Sequence, residues 1–145
     1  MNQATRRALI VIDVQNEYVD GNLPIEYPEL QISLDNIGKA MDTARCLGMP
    51  IMAIQQVAPS TSPIFAEDSH GQALHTVVTS RTCNYVIRKA LPDAFADTEL
   101  ADCLQQHNIN TLAVAGYMTQ NCVDASIKRA CHRGFQCRSL FNKSA

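Results

Sequence analysis

Asp13, Lys89 and Cys122 are an acid, an amine and a thiol, each placed at or shortly beyond the end of a buried strand. Asp13 closes the apolar run Ala8 to Val14, Lys89 follows Tyr85-Val86-Ile87, and Cys122 lies a few residues beyond Thr111 to Ala115. An acid, an ammonium and a thiol in one crevice supply a base, a charge stabiliser and a nucleophile. Cys122 falls in the first turn of an expected helix, where free N–H groups and the helix dipole favour a thiolate. Each side chain also has an ordinary structural use. An Asp ending a strand caps turns, Lys snorkels, and Cys is among the commonest buried residues. The chemical reading rests on their convergence on one edge, and periodicity alone does not name the reaction.

The elements that must position them alternate. Ala8 to Val14 is a continuous apolar run ending in a charge, as in a strand buried on both faces of a parallel sheet. Residues 16 to 28 form a polar loop, and Leu30, Leu34, Ile37, Met41, Ala44 and Leu47 then recur at helical period, stopped by Gly48 and Pro50. Ile51 to Val57 is a second strand, and residues 58 to 72, rich in Pro, Ser and Thr, are a loop long enough to suggest function. After the third strand, Asp97 or Thr98 can cap a helix running through Leu100 and Leu104 to Gln106. The fourth strand, Thr111 to Ala115, turns at Gly116 into a helix from near Gln120 to about His132. Gly134 ends that helix, and Phe135 to Leu140 is a fifth strand. Such alternation predicts right-handed βαβ units: an α/β fold, three-layer α/β/α, with a doubly wound, mainly parallel sheet. Ligands of such sheets collect beyond the carboxyl ends of the strands.

Composition narrows the function. A chain of 145 residues predicts one domain over 1–145, with 46% apolar and 18% charged residues, an ordinary globular balance. Twelve basic and fourteen acidic residues give a net charge of −2, which argues against nucleic acid as a partner. No apolar run approaches the roughly 20 residues that span a bilayer, and Arg6-Arg7 followed by Ala8 to Ile12 reads as a strand rather than a signal, so neither membrane nor export is expected. The six cysteines, at 46, 83, 103, 122, 131 and 137, show no CxxC pair and no zinc spacing. Reduced thiols in a cytoplasmic protein are the expectation. All except Cys122 are assigned to packing.

Three segments carry a family resemblance. Ala8-Leu9-Ile10-Val11-Ile12-Asp13-Val14-Gln15-Asn16-Glu17-Tyr18 resembles the opening motif of the isochorismatase-like, or cysteine hydrolase, family. Val86-Ile87-Arg88-Lys89 with Ala94-Phe95 and Thr98-Glu99-Leu100 resembles its lysine segment, and Ala115-Gly116-Tyr117-Met118-Thr119-Gln120-Asn121-Cys122-Val123-Asp124-Ala125-Ser126 its nucleophile segment. The resemblance runs from about residue 7 to Gly134. It implies a triad in which Asp13 takes the thiol proton, the Cys122 thiolate attacks a carbonyl or imine carbon, and Lys89 holds the charge. It also implies a non-proline cis peptide between Tyr117 and Met118, with the N–H groups of Met118 and Cys122 aimed at an oxyanion. The implied activity is hydrolysis of a small carboxamide or related C–N substrate without a cofactor.

Two departures from the pattern bear on that activity. Metal-binding nicotinamidases of the family use an Asp and paired histidines, but the second strand here ends Ile54-Gln55-Gln56-Val57-Ala58-Pro59. His70 and His75 lack a matching acid pattern, so no catalytic metal and no classical nicotinamidase activity are expected. The chain is also C-terminally short against the pattern, which predicts exposed apolar surface covered by a partner chain, a homo-oligomer of two or more subunits. Around the triad, Gln15 is a candidate polar handle for substrate, and Tyr18 and Phe65 are candidate pocket walls, with Tyr117 beside them; packing is an equal use for the two walls. Asp124, on another face of the nucleophile's helix, ranks below Asp13 as base. Three alternatives stay open: vinyl ether hydrolysis, which needs an acid and no thiol, a catalytically silent oligomeric binding protein, and a thiol redox protein. The last lacks a resolving cysteine near Cys122, because Cys131 is nine residues along the same helix.

Overall fold

Ala8 to Ile12 is five consecutive apolar residues, and a strand sends successive side chains to opposite faces, so both faces of this one need cover. The computed structural model, which describes residues 5–25, 30–117 and 123–139, supplies that cover with helices on both sides of a parallel sheet. β1 (Arg7–Ile12) lies at the centre, between β2 (Ile51–Gln56) and β4 (Thr111–Gly116). β3 (Tyr85–Lys89) and β5 (Gln136–Ser139) complete the order β3-β2-β1-β4-β5, with every pairing parallel. Ile12 stands opposite Ile54 on one side and Gly116 on the other.

The helices are α1 (Leu30–Cys46), the single turn α2 (Thr76–Thr79), α3 (Leu100–Gln106) and α4 (Asp124–His132). Alternation along β1 sorts the core into two layers. Leu9 and Val11 share a cluster with Leu34, Ile37, Met41 and Ala44 of α1 and Val78 of α2. Ile10 and Ile12 share the other with Leu100 and Leu104 of α3 and Ala130 of α4. The expected three-layer α/β/α architecture is therefore the one observed. No helix among the described residues is long and apolar enough to cross a membrane.

Element ends follow local chemistry. α1 stops as Gly48 takes φ +71° and the Met49 amide donates back to Ala44 O at 2.8 Å, and Gly134 at φ +94° ends α4 in the same way. The first strand is shorter than its apolar run, because Asp13 adopts φ +56° and breaks the extended backbone. α3 begins at Leu100, later than an Asp97 or Thr98 cap would start it. Asp97 takes φ +56°, while the Thr98 hydroxyl accepts from the Leu100 amide at 3.3 Å and donates to Ala94 O at 2.6 Å. α2 was not visible as a period, since four residues are too few to show one. The expected start of the last helix near Gln120 lies outside the described residues.

Candidate active site

Strand order reverses beside β1: the chain runs outward through β2 and β3, then returns to place β4 on the other side of β1. Such a reversal leaves a crevice at the carboxyl ends of the strands. Asp13 stands there, one residue past β1. Its amide donates to Ile54 O at 2.9 Å and its carbonyl accepts from the Gln15 amide at 2.8 Å. Left-handed backbone is uncommon outside glycine but accessible to Asp, and such residues cluster at functional sites.

Lys89 ends β3, two strands away. Strands are spaced about 4.8 Å apart, so its long stem crosses the end of β2 to reach Asp13. Nζ lies 3.1 Å from Asp13 Oδ2, and neither side chain is exposed. Nζ also donates to Gln56 Oε1 at 2.5 Å and to Leu91 O at 3.0 Å. Two opposite charges are thus fully buried at a strand-end crevice. Replacing such a pair by packed apolar residues is often neutral or stabilising, so stability alone is a weak reason for it.

Gln15, the candidate polar handle, is fully buried with its amide turned to the backbone. Nε2 donates to Gln56 O at 2.9 Å and to Gln72 O at 2.6 Å, while Oε1 accepts from the Gln56 amide at 2.9 Å. Tyr18, Phe65 and Tyr117 come together as one aromatic cluster. The ring of Tyr18 lies 5.3 Å from that of Phe65, edge-on, and 5.7 Å from that of Tyr117. All three are at most 5% exposed and belong to the core layer under α1. The Tyr117 hydroxyl meets Ser33 Oγ at 2.5 Å; burial raises its pKa and the Ser33 contact pulls the other way.

Met118 and Cys122, and with them the expected cis link after Tyr117, lie outside the described residues. Gly116 and Val123 bracket them. Gly116 takes φ +131°, and a Cβ there would collide with Ile12 O, so the β1–β4 approach requires glycine. The histidines have other uses. His70 Nε2 contacts Asp20 at 3.0 Å on the surface, and His75 Nδ1 accepts from the Val77 amide at the start of α2. Among the described residues no group of three or more His, Cys, Asp or Glu could hold a metal ion.

Three residues escaped the sequence reading. Gln56 contacts Lys89 directly. Gln72 gives its carbonyl to both Gln15 and Gln55, while its own buried Nε2 has no hydrogen-bond partner among the described residues. Glu17 is buried with its carboxylate on backbone amides. Three glutamines near the second strand and loop were the available signal, but an amide carries no charge or nucleophile to draw notice.

The profile of the Isochorismatase domain matches residues 7–140. YddQ of Bacillus subtilis (strain 168), an isochorismatase family protein, is 30% identical over 133 residues, which cover 90% of this chain and 73% of that protein. A streptothricin hydrolase of Streptomyces noursei is 31% identical over 128 residues, 88% of this chain and 45% of that one. Among solved structures, a Burkholderia xenovorans LB400 protein assigned as an isochorismatase is 51% identical with a TM-score of 0.93, over 95% of this chain and 66% of that chain. The chain therefore spans less than two thirds of the last two. At lower identity, an N-carbamoylsarcosine amidase and a cysteine hydrolase share the fold.

Proposed function

The chain belongs to the isochorismatase family, a family of hydrolases, and we propose that it is a cysteine hydrolase acting on a small carboxamide or related C–N substrate. The observation that carries this reading is the fully buried Asp13–Lys89 pair at the strand-end crevice. β4 ends on the same edge of the sheet at Gly116, six residues before Cys122.

In this reading the Asp13 carboxylate accepts the Sγ proton of Cys122, and the thiolate attacks the substrate carbonyl carbon. Lys89 offsets the negative charge, and the N–H groups of Met118 and Cys122 receive the oxyanion. The C–N bond breaks as Asp13 returns the proton to the departing amine, leaving a thioester on Cys122. Water then attacks the thioester carbon and gives a proton to Asp13. The acid leaves, and the proton passes back to sulfur. The sum is amide plus water to acid plus amine, with no cofactor consumed. Gln15 supports the site from behind through the Gln56 backbone it holds, and Tyr18, Phe65 and Tyr117 pack in the core layer under α1.

Ammonia release from a panel of small amides, with Cys122→Ala and Lys89→Ala beside the unaltered chain, tests the proposal. Each variant is expected to lose at least about 10³-fold in kcat, as removal of a member of a cooperating catalytic set does. Ammonia release that survives Cys122→Ala overturns the covalent mechanism.

A further inference from the structure

We infer that Gln56 is a positioning residue, holding the Lys89 ammonium between the carboxylate of Asp13 and the crevice. The inference rests on the reading of Lys89 as the charge stabiliser for Cys122, and it adds a residue which that reading does not contain.

A lysine is a compact charge on a flexible four-carbon stem, so one carboxylate contact leaves it several positions. Leu91 O, at 3.0 Å, and Gln56 narrow that freedom, and Gln56 is the side chain that does so. Its Oε1 accepts from Nζ at 2.5 Å, while its Nε2 donates to Ala90 O at 3.1 Å. The second bond fixes which end of the amide faces the ammonium, because reversing it would set Nε2 against a cation and Oε1 against a carbonyl. The backbone of Gln56 is fixed as well. Its N–H donates to Gln15 Oε1 and its carbonyl accepts from Gln15 Nε2, both at 2.9 Å. Gln15 is in turn two residues past Asp13 and donates its own amide to Asp13 O. The contacts close a circuit: carboxylate, ammonium, amide side chain, strand backbone, second amide, and back to the carboxylate's own turn. The carboxyl ends of β1, β2 and β3 are tied together by it.

The type of residue matters as much as the place. An amide oxygen presents a dipole to the ammonium without adding charge, so the buried pair stays neutral overall. A carboxylate at position 56 would give the single ammonium two anions and leave the site negative, which disfavours a neighbouring thiolate. An aliphatic residue would take one of its acceptors from Nζ inside the protein. Glu at this position acts on sulfur through its added charge alone, so the neutral substitution, which removes the acceptor and adds no charge, isolates the positioning of Lys89.

The test is alkylation of the full chain by iodoacetamide, read at the Cys122 peptide by mass spectrometry from pH 5 to 10, with thermal melting of each variant as the folding control. The unaltered chain is expected to label with a midpoint below the free-thiol value of about 8.5, and Lys89→Ala to return it there. Gln56→Glu is expected to raise the midpoint and slow labelling at pH 7 by about tenfold, the effect of one uncompensated nearby charge. Gln56→Leu is expected to move it the same way by less. Should Gln56→Leu fail to fold, Gln56→Met, which likewise removes the acceptor without adding charge, decides. A depressed midpoint that Lys89→Ala abolishes, but that a folded neutral variant of Gln56 leaves unchanged, overturns the role of Gln56 and spares the hydrolase reading. A midpoint of about 8.5 in the unaltered chain overturns the hydrolase reading, and the role of Gln56 with it.

Discussion

Asp13 and Lys89 each make sense only with the other. With both side chains fully buried 3.1 Å apart, removing one charge strands its partner in the interior. Asp13→Asn and Lys89→Met are each expected to lose about 3–5 kcal/mol, the usual cost of an uncompensated buried charge. The double variant removes both charges, so its loss in urea denaturation is expected to be smaller than the sum of the two. A strictly additive result would mean the two charges do not sense each other. These two residues were legible in the sequence because a charge at the end of an apolar run is conspicuous. Gln56 was not, because an amide at a strand end reads as solvation. Gln15 reads from its position as a handle for substrate, yet its amide hydrogens both go to backbone carbonyls. Sequence shows the residue type, but not which way an amide turns.

Among the elements, the sheet and α1 were legible because burial on two faces, or on one stripe, leaves a long periodic trace. Gly116 shows what a trace cannot carry. It fell at the expected turn, yet its indispensability comes from Ile12, over a hundred residues earlier, whose carbonyl occupies the space a Cβ would need. Gly116→Ala is expected to destabilise by about 4 kcal/mol or more, since backbone on both sides must move and φ +131° is unsuited to alanine. The urea midpoint, or loss of soluble protein, reads it. α2 was hidden for the opposite reason: one turn has no period, and its start depends on the His75 ring accepting from the Val77 amide. That bond needs an unprotonated Nδ1. Burial lowers the His75 pKa from its ordinary 6.5, while Asp20 pulls it up. The folded form therefore binds its proton less readily than the unfolded chain. The stabilisation is present above about 6.5 and is lost as pH falls toward the folded value. The urea midpoint of the unaltered chain is expected to fall between pH 7.5 and 5 more steeply than that of His75→Asn, whose side chain still caps but does not titrate. Parallel slopes would remove His75 from the acid response.

At the scale of the whole molecule, the strand ends that carry Asp13 and Gln56 depend on the loops that follow them. Glu17 holds them. Its carboxylate accepts from the Asn22 amide at 2.7 Å and the Phe65 amide at 2.6 Å, and its own amide donates to Gly71 O at 2.9 Å. Gly21 and Gly71 press so close that a Cβ on either would collide with a carboxylate oxygen of Glu17. One buried acid thus fastens the loop after β1 to the loop after β2. That second loop carries Gln72, whose carbonyl holds Gln15, which in turn grips Gln56 beside Lys89. Both segments were recognisable as loops from their Pro, Gly and Ser content, but what joins them was not. An acid among polar residues looks solvated until the chain folds over it. Glu17→Gln keeps the shape and replaces one carboxylate oxygen by an N–H donor, which opposes whichever backbone amide it faces. The expected cost is about 1.5–3 kcal/mol, the worth of a hydrogen bond to a charged group. Because the sheet does not depend on this contact, the loss should be local. Native-state proteolysis is expected to cut residues 58–74 about tenfold or more faster, while cuts within α1 keep their rate. Acceleration at both places would make Glu17 part of the global core, and acceleration at neither would mean the loops are held by packing alone.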